Sequence, residues 1–107
     1  MISCSWWHDL YVNEGFANYL SYFAMNSEYP NYEDEKYILN DGFQVAMMTD
    51  ASSASHPVIN DAETPEEIDA IFSRITYQKG GSLNRMMHYF LTPETFVKGL
   101  QTFLEEL

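Results

Sequence analysis

A chain of 107 residues limits the fold to one small domain with a modest core. Sixteen acidic residues against five basic ones give a net charge of −11, which repels phosphate backbones and anionic lipid and argues against nucleic-acid or membrane-surface binding. Hydrophobic content of 46% excludes a disordered tail, the lone Cys4 excludes an internal disulfide, and no apolar run reaches the ~18 residues a membrane span needs.

In chain order the pattern reads as helices separated by short breaks. Phe16, Tyr19, Leu20 and Phe23 recur at helical spacing and predict a helix over about residues 13–25, with these four side chains inward. Glu14, Ala17, Asn18 and Ser21 lie on its other side. They are small or polar, so a neighbouring helix or a metal can approach there. Tyr29-Pro30-Asn31 breaks the chain. Asn31 with Asp34 is read as the cap of a second helix ending near residue 48, with Leu39, Phe43 and Met47 inward. A Ser-, Ala- and Asp-rich loop containing His56-Pro57 follows over residues 49–63.

Thr64-Pro65-Glu66-Glu67 is a helix start with Thr as N-cap, Pro at the first helical position and Glu at the third. Ile68, Ile71, Phe72 and Ile75 then share one face. At Lys79-Gly80-Gly81 the helix must break, kink or pack tightly, because two glycines cost roughly 2 kcal/mol relative to alanine. Leu83, Met86, Met87, Phe90 and Leu91 resume the helical period, and Thr92-Pro93-Glu94 opens a last helix with Phe96, Leu100, Phe103, Leu104 and Leu107 inward. No alternating strand pattern or repeat occurs, so the fold class expected is all-α with about five helices. The large rings near the start, Trp6, Trp7, Tyr11 and Phe16, suit a short helix inside a larger body.

The motifs that carry chemistry are WWHDLYVNEGFA, from Trp6 to Ala17, and YQKGGSLNRM, from Tyr77 to Met86. A lone Glu near a helix start is ordinarily a cap or dipole partner, and a lone Tyr is ordinarily half-buried core. Set in these two motifs, Glu14 and Tyr77 resemble functional residues of the aminopeptidase N-like zinc metallopeptidases, the gluzincin aminopeptidases. The first motif resembles the signature WW-x-D-L-(W/Y)-(L/V)-NEGFA, and the second a Y-x-K-G segment. The 63 positions between Glu14 and Tyr77 agree with the family's spacing.

The resemblance implies that Glu14 is the third protein ligand of a single zinc ion. It implies that the Tyr77 hydroxyl donates a hydrogen bond to the oxyanion formed during peptide hydrolysis. Both fit general chemistry. A catalytic zinc takes three protein ligands, and a phenol is still protonated at neutral pH. Lys79 and Gly80 resemble packing and bend positions, and Asp9 and Asn13 read as residues that fix the loop and cap the helix. Asn18, one turn beyond Glu14, either backs a metal ligand or is ordinary polar packing.

In that family an HExxH helix lies upstream, its second His nineteen positions before the NEG glutamate, and counted back from Glu14 that His falls before Met1. The expectation is therefore that residues 1–107 are the C-terminal half of a thermolysin-like catalytic domain, without the HExxH helix and the amine-binding Gly-x-Met-x-Asn motif. As an isolated chain it would be inactive and would not hold zinc tightly. Its partners would be the remainder of the catalytic domain and a peptide substrate. His8, His56 and His88 form no ligand-spaced pair and read as surface or packing residues. The alternative is a non-catalytic helical interaction module derived from the same fold. Location stays open, since the family includes membrane-anchored and cytosolic members.

Overall fold

The computed structural model describes residues 3–106, and every regular element among them is helical. A 3-10 turn, Trp7–Asp9, leads into α1, Leu10–Glu28. The second rod is continuous, made of α2 (Asp34–Tyr37), a π-helical stretch (Ile38–Gln44) and α3 (Val45–Asp50). After the loop come α4 (Pro65–Ile71), a second π-helical stretch (Ile75–Lys79) running directly into α5 (Gly80–Leu91), and α6 (Pro93–Glu105). Among the described residues these make five rods, and the all-α expectation holds.

Thr64 forms the start of α4 as its sequence predicts. Its Oγ1 accepts from the Glu67 N–H at 3.3 Å, while Glu67 Oε2 accepts from the N–H groups of Thr64 and Glu63, both at 3.0 Å. Those two backbone donors, Glu63 first, hold the Glu67 carboxyl below its usual range. Thr64→Ala should therefore lower stability by about 1 kcal/mol in denaturant unfolding of the folded protein; an unchanged midpoint would mean the cap contributes nothing.

Two apolar clusters hold the rods together. Leu10, Ala62 and Ile71 pack with Trp7 and Ile68, which ties the start of α1 to the loop and α4. Tyr19, Ile38 and Phe96 pack with Phe16, Tyr22 and Leu100, which joins α1, the second rod and α6. Within the second cluster the Tyr19 hydroxyl and His88 Nδ1 share a hydrogen bond at 2.6 Å, and the His88 ring stacks on Phe96 at 4.6 Å. Burial is the main reason that the Tyr19 phenol is pushed up to about 12. His88 is thus a packing histidine on α5.

Several expected details differ. Helix α1 is longer than 13–25, and Leu20 and Phe23 are about 40% exposed. Leu20 is exposed because α6 does not close over α1 there. The two leave an apolar groove of about 410 Å³ lined by Val12, Phe16, Leu20, Leu100, Phe103 and Leu104. Phe103 and Leu104 are accordingly exposed, and Leu107 lies outside the described residues. On the second rod Leu39 and Met47 are also exposed.

The expected Asn31–Asp34 cap is absent. A turn closed by the Tyr32 N–H on the Tyr29 carbonyl delays the helix, and Glu33, left-handed at φ 55°, takes the N-cap position without a side-chain bond. The face shared by Ile68 and Ile71 stops where α4 ends, leaving Phe72 exposed and Ile75 in the next element. On α5 the apolar stripe from Leu83 to Leu91 faces outward, while Gly80, Gly81, Asn84 and His88 are buried. The small and polar side faces inward because only it allows the close approach described next.

Candidate active site

The site is built on the crossing of α1 with the rod carrying Tyr77. Gly15 and Gly80 meet there backbone to backbone. A Cβ added to Gly15 would stand 2.7 Å from the Gly80 carbonyl carbon, and one added to Gly80 would stand 3.2 Å from the Gly15 Cα. Of the three possibilities read at the glycine pair, tight packing is the one realised. The residue before Gly15 is Glu14, and three positions before Gly80 is Tyr77. The crossing therefore brings the two motif residues together from distant parts of the chain.

Glu14 is half-buried on α1 and belongs to no salt bridge among the described residues. Tyr77 is half-buried in the π-helical stretch, where the wider backbone turn recurs at functional positions in proteins generally. Burial first, and then the neighbouring Glu14 carboxylate, push the Tyr77 phenol above its ordinary value. The proton is thus held more tightly than on a free tyrosine, so the hydroxyl is a donor throughout the neutral range.

Both ends of the Tyr77 backbone are held. Its N–H donates to the Ser73 carbonyl at 3.1 Å, and its carbonyl accepts from Asn18 Nδ2 at 3.1 Å. Asn18 therefore reaches across to α5's rod, a bond that the reading of Asn18 as support for a metal ligand does not include. Sequence pattern alone gave one clue to it, the small and polar side of α1. Ala17 and Ser21, placed on that same side, are exposed.

Neighbouring contacts fix the frame. Lys79 Nζ pairs with Asp50 Oδ2 at 2.5 Å, fastening the π-helical stretch to the end of α3, and that bond leads the causes lowering the Asp50 carboxyl. His56 Nδ1 lies 2.8 Å from the Pro57 carbonyl, which can only accept, so Nδ1 carries a proton; Nε2 meets Ser73 Oγ at 2.6 Å. His56 thereby clamps the loop onto the turn before Tyr77, a structural task. Asn13 exchanges hydrogen bonds with Cys4, accepting from its N–H at 3.0 Å and donating to Sγ at 3.3 Å, and so fixes the entry loop. Asp9 occupies the N-cap of α1 without a side-chain bond to it and pairs with His8 at 3.0 Å instead.

Among the described residues no three His, Cys, Asp or Glu side chains come together as a metal-binding group. The donor set fits one ligand position of a zinc site. It offers a carboxylate with no cation partner among the described residues and a phenol whose pKa is raised by burial and by that carboxylate.

The chain is similar to known proteins over nearly its whole length. The Peptidase family M1 domain matches residues 1–107, the whole chain. Identity is 36% over 105 residues with puromycin-sensitive aminopeptidase of Caenorhabditis elegans, a match covering 98% of this chain and 11% of that protein. It is 40% over 108 residues with aminopeptidase N of Mus musculus, covering 97% and 11%. With endoplasmic reticulum aminopeptidase 2 of Homo sapiens it is 35% over 106 residues, covering 99% and 11%. These matches put the chain among the metallopeptidases. It belongs to peptidase family M1, whose members are generally zinc-dependent. The chain spans about 11% of the length of these curated relatives.

Proposed function

We propose that residues 1–107 form the helical C-terminal half of the catalytic domain of a zinc aminopeptidase that removes N-terminal residues from peptides. Glu14 is the zinc ligand this chain supplies and Tyr77 the oxyanion donor. The observation that carries the reading is the backbone contact of Gly15 with Gly80, which sets the helix turns bearing Glu14 and Tyr77 against each other. When bound, zinc supplies Lewis acidity, polarising the scissile carbonyl and lowering the pKa of water. Glu14 presents its carboxylate from a rigid helix and lacks a cation partner among the described residues, so no ion pair must break for it to serve. Tyr77 holds its proton at the hydroxyl oxygen and turns it toward the charge developing on the substrate carbonyl. The two histidine ligands and the general base that the resemblance implies are not in this sequence, and they would come from the remainder of the catalytic domain.

The test uses the full-length protein that carries this chain. Loaded with zinc, it should release N-terminal residues from peptides, lose that activity to a chelator and regain it with zinc. Glu14→Gln, which keeps the shape and removes the charge, should leave zinc well below one ion per molecule after dialysis. Hydrolysis that survives chelation, or full zinc retention in Glu14→Gln, would remove the reading.

A second reading, the non-catalytic helical interaction module, draws on exposed apolar side chains such as Phe90, at 86%. It predicts neither zinc nor hydrolysis in the same experiment.

A further inference from the structure

We infer that Asn18 is a positioning residue for Tyr77, tying the peptide group behind the phenol to the helix that carries Glu14. The inference rests on the reading of Tyr77 as oxyanion donor. Asn18 lies four residues after Glu14, on the same face of α1. Its Nδ2 donates across the crossing to the Tyr77 carbonyl at 3.1 Å, and since a carbonyl only accepts, the amide nitrogen must be the end that faces it. The amide also fills the space beside Gly81, where an added Cβ would come within 2.9 Å of Nδ2.

In the π-helical stretch the Gly80 N–H is shared between the carbonyls of Ile75 and Tyr77, and the Asn18 amide is a second donor on the Tyr77 carbonyl. The Tyr77 N–H is fixed separately on Ser73. Rotation of the Tyr77 peptide plane would swing the phenol, and the Asn18 bond resists that rotation from the Glu14 side. Asn18 thus sets where the hydroxyl stands relative to Glu14 without touching substrate or metal.

The experiment is a double-mutant cycle in the full-length, zinc-loaded protein. It combines Asn18→Ala with Tyr77→Phe and reads kcat, KM and zinc content. Asn18→Ala should lower kcat about tenfold, the scale of one well-placed hydrogen bond, with KM and zinc unchanged. In the Tyr77→Phe background the same change should have almost no effect, because the hydroxyl it positions is gone. Asn18→Leu, close in volume and without a donor, should reproduce the loss if the alanine variant folds poorly. Equal losses in both backgrounds, or a loss that follows zinc content, would overturn the inference by showing that Asn18 acts elsewhere. A full kcat in both Asn18 variants, with kcat reduced in Tyr77→Phe, would overturn it while leaving the role of Tyr77 standing. A full kcat in Tyr77→Phe itself would remove both.

Discussion

In the full-length, zinc-loaded protein, Tyr77→Phe is expected to lower kcat by about 10²–10³-fold, the cost of removing one preorganised oxyanion donor. KM should change little, since the hydroxyl strengthens its bond only as charge develops on the carbonyl oxygen. The pH dependence carries a second check. In the metal-free protein, burial and then the Glu14 carboxylate raise the Tyr77 pKa, so its proton is lost above the ordinary tyrosine range and not below it. The difference in phenolate absorbance between native and Tyr77→Phe metal-free protein should accordingly stay absent from about pH 6 to 9, well under the ordinary value of ~10. A phenolate signal within that window would mean that the hydroxyl ionises there and is not a donor.

Gly15→Ala should destabilise the protein by about 2 kcal/mol, a balance of overpacking near 3 kcal/mol against a helix gain near 1 kcal/mol. The added methyl would stand 2.7 Å from the carbonyl carbon of Gly80 and 2.9 Å from its Cα, both backbone atoms with no rotamer to yield. Gly99 is the control. It also lies inside a helix, but nothing stands within 4 Å of its added Cβ. There the same substitution should stabilise, by about 0.5–1 kcal/mol. Denaturant unfolding of the two variants should therefore move in opposite directions. If both stabilise, the crossing yields to the extra methyl, and the close approach of α1 and α5 is not what sets the site.

The parts of the fold written into local chemistry were legible before the structure. Thr64-Pro65-Glu66-Glu67 closes the cap its residue types require, and Pro93 opens α6. Of the small and polar side read on α1, Asn18 meets the neighbouring rod, whereas Ala17 and Ser21 are exposed and the closest approach is at Gly15, outside that set. What local pattern missed depends on tertiary packing. The stripe from Leu83 to Leu91 has the period of a buried face, yet it is turned outward because the glycine side of α5 must meet α1. The π-helical stretches have no signature in residue type. Glu33 adopts its left-handed conformation at the end of a turn, where Asn31 was the better cap by composition. At the site, Glu14 and Tyr77 stood out through their motifs, whereas the bond from Asn18 to Tyr77 joins two positions whose nearness only the crossing determines.

Because α1 and α5 touch through bare backbone at Gly15 and Gly80, the distance from Glu14 to Tyr77 is measured across a helix crossing and not along the chain. Residues can be added to the loop ahead of His56 for little more than closure entropy, about 0.6 kcal/mol per doubling of loop length. One residue inserted between Tyr77 and Gly80 would instead turn the tyrosine by about 100° around the helix axis and away from its partner. Length variation among related chains should therefore collect in the loop and stop at the helix. The chemistry is indifferent to how long a path joins its two halves and intolerant of a single step added to the rod that carries one of them.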